Sequence, residues 1–314
     1  RSLCDWSSDV CSSDLRRGGG AHGWHATLPS CRRSARGRAS RSPYVTLAGT
    51  GEIRHLDRRT YAGQTLTTFP VGNGFLLGMA FDGDELYVAL ASFVAETSGV
   101  WHVAADGTAE RVVAFTASEF PNDLTFDRAG NMYITESIAG AVWKVPAGSA
   151  TRQLWVQDPL LYGDPAQSPV PFPIGANGIA YDDEDGSVLV ANSQVPAIVR
   201  IDDNGSAGAI SVLAAGEHLR GADGITIDRN GDVIVVSNFN SKVLLLDGDT
   251  GAATTLADGS DGLVFPSTAA FGQYGNDKRS VFIANFGFGV GPSAPVSVLK
   301  LAVSEKSKKY PAGR

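Results

Sequence analysis

The sequence predicts an all-β protein, a six-bladed β-propeller whose first blade lacks its innermost strand. A unit of about 45 residues recurs five times along the chain, and a repeat of this length buries its apolar face only against neighbouring repeats. Each copy shows the apolar and polar alternation that is typical of strands, and none shows the i, i+3, i+4 spacing of an amphipathic helix. Helical solenoids are therefore excluded, and a ring of small sheets is expected.

Each copy of the repeat begins with a similar sequence motif. The copies are LGMAFDGDELYVAL from Leu77, PNDLTFDRAGNMYIT from Pro121, ANGIAYDDEDGSVLVAN from Ala176, ADGITIDRNGDVIVVSN from Ala222 and PSTAAFGQYGNDKRSVFIAN from Pro266. In the fourth copy, a turn containing Asn230-Gly231 separates the alternating run 224–228 from the apolar run 233–236. Asn-Gly supplies the positive φ that tight hairpins need. Two more strands are predicted at 242–247 and 253–256, so this copy is expected to form a four-stranded antiparallel blade.

A sixth blade precedes the five copies. Residues 44–48, 51–57 and 65–69 match the second, third and fourth strands of the other copies, and no first strand is evident before them. The last copy ends with a third strand at 296–301, and no fourth strand is predicted after it. Counts of five or seven blades fit the repeat less well. The predicted regions are a leader at 1–42, the propeller at 43–303 and a solvated tail at 304–314.

The leader differs in composition from the rest of the chain. It holds eight of the 26 basic residues and all three cysteines. Residues 5–15 look like the translation of a sequencing adapter, which would make 16–41 a wrong-frame read and the propeller truncated at its start; a native disordered basic tail is the alternative. The leader has no apolar run typical of a secretory signal. Because the remaining chain has no cysteine, its composition leaves the compartment open.

The body of the chain is acidic. Residues 43–314 hold 18 basic and 30 acidic residues, whereas a nucleic-acid partner would require a basic stripe. No apolar run approaches the roughly 18 residues of a membrane span. We therefore expect no nucleic acid and no membrane span. The expected partner is a small, apolar molecule, and the chain is expected to be a monomer.

Polar residues recur at two positions of the copies that a propeller would bring to one face of its channel. The first strand of most copies contains a glycine, which another residue replaces in the remaining copies. The position just before it holds Leu77, Asn122, Asn177, Asp223 and Ser267. The position that ends each second strand holds Leu90, Glu136, Asn192, Asn238 and Asn285. Carboxylate and amide oxygens are the ligands that hard divalent cations prefer.

These residues have a second interpretation, because Asn and Asp before Gly commonly cap turns. For Asn192, Asn238 and Asn285 we favour that interpretation and expect strand-end caps. Asn122, Asn177 and Asp223 stand at equivalent points of three blades, and their coincidence favours a common site.

From about Tyr44 to Val303, the chain resembles the SMP-30/gluconolactonase/LRE-like family of six-bladed propellers, and more distantly paraoxonases and strictosidine synthase-like proteins. The resemblance rests on the motifs at 121–123, 176–181 and 222–228. It implies one divalent cation in the channel, held by a Glu, an Asn and an Asp. By this match Asn177 and Asp223 would be ligands, Asp223 a possible base, and Asn122 an amide next to the substrate or metal. Ca²⁺ is the expected ion, with Zn²⁺, Mn²⁺ and Mg²⁺ as alternatives.

The chain departs from the family pattern at two places. The family's Glu ligand would fall near residues 30–42, but no Asp or Glu occurs between Leu15 and Gly51, which we interpret as truncation rather than evolved loss. Phe120 stands two residues before Asn122, where sugar-lactone enzymes of the family tend to carry Arg. Without that guanidinium, binding of a polyhydroxylated acid lactone is disfavoured.

The predicted channel mouth is apolar and aromatic. The longest loop between blades, 157–175, contains Phe172, and the segment 286–292 of the last blade begins with Phe286. Both segments could cover the channel and favour an apolar ligand, or could be stiff connections only. Glu136 and His218 are two further candidates for the mouth.

Two functions remain open from the sequence. The first is a divalent-metal-dependent hydrolase of a lactone or related ester, and the second is a non-catalytic NHL-type binding propeller. The chain has no HExxH motif, no G-x-S-x-G elbow and no phosphate-binding loop, so a zincin-type metalloprotease, a serine hydrolase or a nucleotide-dependent enzyme is not expected.

Overall fold

Six antiparallel sheets form the blades of the computed structural model, which describes residues 3–5, 43–57, 60, 62–272, 275–287 and 297–303. The strands of the leader and the first two blades are β1 (Leu3–Asp5), β2 (Tyr44–Leu47), β3 (Glu52–Leu56), β4 (Gly63–Thr68), β5 (Phe75–Asp82), β6 (Glu85–Ala91), β7 (Gly99–Val103) and β8 (Ala109–Ala114). The third and fourth blades contain β9 (Pro121–Phe126), β10 (Met132–Glu136), β11 (Ala141–Val145), β12 (Gln153–Gln157), β13 (Ala176–Asp182), β14 (Ser187–Asn192), β15 (Ala197–Asp203) and β16 (Ala207–Ala215). The last two blades contain β17 (Ala222–Ile227), β18 (Val233–Ser237), β19 (Lys242–Leu246), β20 (Ala253–Ala257), β21 (Pro266–Phe271), β22 (Ser280–Asn285) and β23 (Ser297–Ala302).

Helical structure in the described residues is limited to short 3-10 turns. These turns are Pro159–Leu161, Pro165–Gln167, Glu217–Leu219, Gly259–Asp261 and Gly275–Arg279. No helix of the described residues is long and apolar enough to cross a membrane. The all-β, six-bladed prediction is therefore confirmed.

The first blade has three described strands, in the order β2-β3-β4. Strand β2 contacts β5 of the next blade, as the second strands β6 and β10 contact β9 and β13. Strand β2 therefore occupies a second-strand position, and no described strand fills the innermost position of this blade. The segment near 30–42, where the family's Glu ligand was expected, lies outside the described residues.

The sixth blade obtains its fourth strand from the other end of the chain. Strand β1 pairs antiparallel with β23, with Leu3 opposite Leu301 and Asp5 opposite Leu299. This pairing was not predicted, because a fourth strand was sought only after residue 301 and the leader was expected to be non-native or disordered. Residues 6–42 and the tail at 304–314 lie outside the described residues.

The apolar core lies between the blades rather than within them. Ala89 and Val100 of the second blade pack with Leu124 and Ile134 of the third, and similar clusters fill the other described junctions. Val45 and Leu47 of the first blade pack with Ala284 of the last, which closes the ring. Burying one such Leu or Val side chain contributes roughly 1.5–3 kcal/mol. The repeats thus stabilise each other, as the repeat length predicts.

The strand pairing corrects one predicted column. The residues just before the column of Leu77, Asn122, Asn177, Asp223 and Ser267 pair with Leu90, Glu136, Asn192, Ser237 and Asn285. Asn238 was therefore placed one residue off the second column, whereas Leu90 lies on it. The error arose because the copies were aligned by the residue type of their polar side chains, whereas hydrogen bonding between the strands sets the register.

Candidate functional site

A β-bulge near the start of each inner strand positions the candidate site residues. The pairing shifts between Ala176 and Ile179 in the fourth blade and between Ala222 and Ile225 in the fifth, and equivalent shifts occur in the second, third and sixth blades. Asn177 falls within one of these shifts. A bulge leaves a residue out of the ladder and redirects its side chain, so the same irregularity recurs where the polar residues occur.

The residues Asn122, Asn177 and Asp223 line one cavity of about 270 Å³ at the mouth of the channel, which we call the mouth cavity. Each comes from a different blade, so the structure brings together the three residues that the sequence placed on a common axis. The other lining residues are Phe75, Leu77, Phe120, Ser168, Pro169, Val170, Pro171, Phe172, Ile174, Ser193, Gln194, Asn238, Phe239, Phe265 and Phe286.

A serine hydroxyl fixes each of the two asparagine side chains. Asn122 donates through Nδ2 to Ser137 Oγ at 3.0 Å, and Asn177 donates through Nδ2 to Ser193 Oγ at 2.7 Å. Each serine in turn donates at 2.6 Å to the backbone carbonyl that begins the inner strand of the next blade. With Nδ2 held in this way, the amide oxygen of each asparagine remains available as a ligand or acceptor. The sequence prediction missed both serines, although each directly follows the end of a second strand.

Asp223 is a buried carboxylate without a cationic partner in the described part of the chain. Burial raises its pKa well above the usual range, hydrogen bonds from Asn238 and Asn177 oppose that rise, and the nearby Asp123 carboxylate adds to it. Asn238 Nδ2 donates to Asp223 Oδ2 at 3.2 Å, so Asn238 supports the site rather than capping a strand. A buried charge without a counter-charge is costly, and a bound cation would remove that cost.

Asp123 is a second, partly buried carboxylate, and the sequence prediction assigned it no role. Its oxygens accept from the backbone N–H groups of Leu124 at 2.8 Å and Ile179 at 3.3 Å, and burial raises its pKa to about 7. It lines a smaller cavity of about 40 Å³ formed by later residues of the inner strands. A signal was present, because the equivalent positions of two neighbouring copies hold Gly78 and Gly178.

Gly78 allows Asp123 to occupy its place. A Cβ atom on Gly78 would lie 2.1 Å from Asp123 Oδ1 and 2.7 Å from its Cα. The inner strands of the second and third blades therefore approach so closely that only a glycine fits opposite the carboxylate.

The donors at the mouth cavity fit a hard cation. No group of three or more His, Cys, Asp or Glu side chains is close enough to hold a metal in the described residues. The available donors are the Asp223 carboxylate and the amide oxygens of Asn122 and Asn177, which are all oxygens and suit Ca²⁺ or Mg²⁺ better than Zn²⁺. They supply three of the six to eight ligands that Ca²⁺ takes, so further ligands would come from water or substrate.

Three of the predicted mouth residues line the cavity. Phe120, Phe172 and Phe286 all contribute to its wall. Residues 168–172 and 174 of the loop 157–175 line the cavity, and buried Gln194 anchors this loop by accepting from Ile174 N at 2.8 Å and donating to the Phe172 carbonyl at 3.1 Å. Of the segment 286–292, residues 288–292 lie outside the described residues.

Two predicted mouth residues, Glu136 and His218, do not line the cavity. Glu136 is buried and accepts from the backbone N–H groups of Phe120 at 2.7 Å and Ala139 at 2.7 Å; burial raises its pKa and these hydrogen bonds oppose the rise. It therefore holds the backbone next to the mouth. His218 is exposed on the turn Glu217–Leu219, whose buried residue is Leu219.

Asn192 and Asn285 cap strand ends, as predicted. Asn192 donates to the carbonyls of Leu160 and Tyr162 at 3.0 and 2.8 Å and accepts from Val195 N at 3.0 Å. Asn285 accepts from Val264 N at 2.9 Å. These contacts attach the neighbouring loops to the blades.

Comparisons with known proteins identify the fold. No protein-family model and no curated protein matches the sequence. A gluconolactonase structure from Xanthomonas campestris matches with 16% identity and a TM-score of 0.63 over 88% of this chain and 86% of that chain. A calcium-binding regucalcin from Agrobacterium tumefaciens matches with 14% identity and a TM-score of 0.63 over 93% and 97%. A luciferin-regenerating enzyme matches with 14% identity and a TM-score of 0.65 over 93% and 95%. The chain therefore shares the propeller fold of these three proteins.

Proposed function

We propose that this propeller is a divalent-metal-dependent hydrolase of a lactone or a related ester. The observation that carries the proposal is the buried Asp223 carboxylate, which lines the mouth cavity with Asn122 and Asn177 and has no cationic partner in the described residues. The similar structures include a gluconolactonase and a calcium-binding protein, which agrees with both parts of the proposal.

The three polar residues would act on the carbonyl end of the substrate. Asp223 and the amide oxygens of Asn122 and Asn177 would hold the cation, which when bound polarises a carbonyl and lowers the pKa of water. A water oxygen adds to the carbonyl carbon, and its proton passes to the Asp223 carboxylate. The carbon–oxygen bond of the ring or ester then breaks, and the leaving oxygen takes up that proton. The products are a carboxylic acid and an alcohol, joined in one molecule when the substrate is a lactone.

Asp123 would influence the protonation of Asp223. Its carboxylate lines the smaller cavity and not the mouth cavity, so it is not placed to contact the substrate. Its charge helps to raise the pKa of Asp223, which would favour uptake of the proton by that carboxylate.

The alternative, a non-catalytic binding propeller, expects the polar residues to cap turns. Asn192 and Asn285 do so, but the hydrogen bonds of Asn122 and Asn177 run to serine side chains across the blade. Because turn capping does not account for these two side chains, the contacts favour the hydrolase.

The substitution Asp223→Asn tests the proposal with little change in shape. We expect kcat/KM for a neutral lactone to fall by about 100-fold or more, since removing a proton-transfer group costs roughly 10²–10⁴. The rise in Tm on adding Ca²⁺, which reports binding to the folded state, should also disappear. Asp106→Asn, at an exposed turn, is the matched control and should behave as wild type. Full turnover in Asp223→Asn, or a wild-type Tm that neither Ca²⁺ nor EDTA moves, would refute the proposal.

A further inference from the structure

Two groups of phenylalanine rings face the mouth cavity. The first, which we call the near wall, consists of Phe75, Phe93, Phe120 and Phe172. The second, the far wall, consists of Phe239, Phe265 and Phe286. All of these except Phe93 line the cavity, and Phe93 packs against Phe120 and Phe172.

The rings within each wall contact each other. In the near wall the Phe120 and Phe172 centroids are 5.6 Å apart, and Phe93 lies 5.7 and 6.1 Å from them. In the far wall Phe265 lies 5.3 Å from Phe239 and 6.0 Å from Phe286. These separations fall in the favourable range for aromatic pairs, so each wall is a packed surface rather than a set of isolated rings.

The topology places the walls on opposite sides of the channel. The near wall comes from the second and third blades and from the loop 157–175, whereas the far wall follows strands of the fifth blade and flanks the sixth. In a closed ring of six blades, the second and third lie across the axis from the fifth and sixth. A flat molecule in the cavity would therefore meet aromatic rings on two faces.

Each wall contains one phenylalanine in a strained backbone conformation. The described residues contain three non-glycine residues with positive φ, namely Phe93 at 57°, Ser241 at 48° and Phe265 at 45°. Bulky residues rarely adopt this conformation, and it persists where the surroundings fix it, often at ligand sites. Ser241 supports the far wall, because its Oγ accepts from Phe265 N at 3.2 Å. On the other side of the cavity, Ser92 Oγ accepts from Val94 N at 3.2 Å, so a hydrogen bond joins the two residues that flank Phe93.

The cavity also disfavours an anion. Among the described residues, no Lys, Arg or His lines it, and its carboxylate, Asp223, would repel a negative charge. Most of its polar groups come from the inner strands and from residues next to the ends of the second strands, whereas the aromatic rings form its two sides. A ligand that matches this arrangement is neutral and has a flat apolar ring at one end and a carbonyl group at the other.

We propose that the near and far walls clamp the ring of a neutral, aromatic lactone or ester, with its carbonyl directed to Asn122, Asn177 and Asp223. The reaction in this inference rests on the proposed function, but the binding does not. Phe265 is a contact residue for the ring, and Phe93 is a positioning residue that acts through Phe120 and Phe172. Both set the preference for an aromatic over an aliphatic or polyhydroxylated substrate.

Binding to the full-length Asp223→Asn protein separates this inference from turnover. The probes are dihydrocoumarin as the neutral aryl lactone, γ-butyrolactone as the aliphatic one and δ-gluconolactone as the polyhydroxylated one, with dissociation constants measured by calorimetry. We expect dihydrocoumarin to bind at least 10-fold more tightly than either of the others. Equal affinities for the three lactones would overturn the inference.

Glycine substitutions then test the walls themselves. Phe265→Gly removes a ring and relieves the positive φ, so we expect its Tm to be close to that of the parent while its Kd for dihydrocoumarin rises by about 5-fold or more. Phe93→Gly should lower the ratio of aryl to aliphatic affinity by a smaller factor, which a loss of stability alone would not do. Phe265→Leu keeps an apolar side chain of similar length and serves if the glycine variant does not fold. Unchanged aryl affinity in the folded Phe265 variant would overturn the inference.

The outcomes for the two proposals are distinguishable. If dihydrocoumarin binds tightly, and its affinity depends on the wall residues, but the wild-type protein does not hydrolyse it, the binding inference is supported and the hydrolase proposal is refuted. Hydrolysis of lactones with no dependence on Phe265 or Phe93 would support the hydrolase and refute the clamp.

Discussion

The Ser193 hydroxyl helps to orient the Asn177 side chain. Ser193 Oγ accepts from Asn177 Nδ2 at 2.7 Å and donates to the Ala222 carbonyl at 2.6 Å, so one serine connects the side chain of the fourth blade to the backbone of the fifth. Groups of this kind, one step away from the reacting atoms, commonly determine how well a site performs. Ser137 has the same function for Asn122.

Replacing Ser193 by Ala removes this support without touching the candidate ligands. We expect Ser193→Ala to weaken the Ca²⁺-dependent rise in Tm and to lower kcat/KM by roughly 10–100-fold. Losing both hydrogen bonds of the Ser193 hydroxyl should also lower the free energy of unfolding by about 1–3 kcal/mol. Urea unfolding and lactone turnover measure these effects. Ser206→Ala, at an exposed turn, should change none of these quantities, and a Ser193→Ala protein with normal Ca²⁺ response would contradict the assigned role.

The sequence predicted three residues of the site and missed others for physical reasons. Asn122, Asn177 and Asp223 were predictable because the phase of the repeat fixes their place on the channel. Asp123 was missed because its importance depends on the approach of Gly78 from the neighbouring blade, which only a comparison of the copies, and no single copy, could indicate. The rings of Phe93, Phe239 and Phe265 were also missed. They lie at strand ends or in loops, where side-chain directions follow from turns rather than from a period.

At the scale of strands and blades, a polar joint links the third and fourth blades. Asp203 of β15 accepts from the hydroxyls of Tyr133 and Tyr181, and Lys144 Nζ lies 3.5 Å from its carboxylate. Burial raises the pKa of Asp203, but the hydrogen bonds from Tyr133, Gly205 N and Tyr181 and the charge of Lys144 outweigh it and hold the pKa below the usual range. The joint therefore favours the charged carboxylate and fixes the angle between two blades that line the mouth cavity.

This joint predicts a pH-dependent contribution to stability. Because the folded-state pKa of Asp203 is depressed, its contribution is present above the unfolded pKa of about 3.9 and is lost as the pH falls through the lower folded-state pKa. We expect Asp203→Asn to lower the free energy of unfolding by about 1–2 kcal/mol at pH 7, and the difference from wild type to shrink below about pH 4. Denaturant titrations across this range measure it. The adjacent, exposed Asp202 provides the control Asp202→Asn, and a difference that stays constant down to pH 2 would contradict the assignment.

Element positions were predicted better than strand register. The strands predicted at 242–247 and 253–256 correspond to β19 (Lys242–Leu246) and β20 (Ala253–Ala257), because alternation and turn residues mark them locally. The bulges that shift the pairing of the inner strands were not predicted. They arise from hydrogen bonding between strands and leave no local pattern in the sequence.

At the scale of the whole molecule, the ring of blades explains both the stability of the fold and the geometry of the site. Each blade buries its apolar residues against its neighbours, and the contact of Val45 and Leu47 with Ala284 closes the ring. Closure brings inner strands from different blades to one axis and sets the near and far walls opposite each other. The six-bladed ring was predictable from the repeat, whereas the pairing of β1 with β23 was not, because it joins segments from opposite ends of the chain.

The central claim is that Asp223, Asn177 and Asn122 form a cation site. Diffraction from crystals of the full-length protein soaked in Ca²⁺ tests it most directly. We predict an anomalous peak in the mouth cavity, at roughly 2.3–2.6 Å from an Asp223 carboxylate oxygen and the Asn177 amide oxygen. A well-ordered cavity at saturating Ca²⁺ with no peak within bonding distance of either residue would contradict the claim.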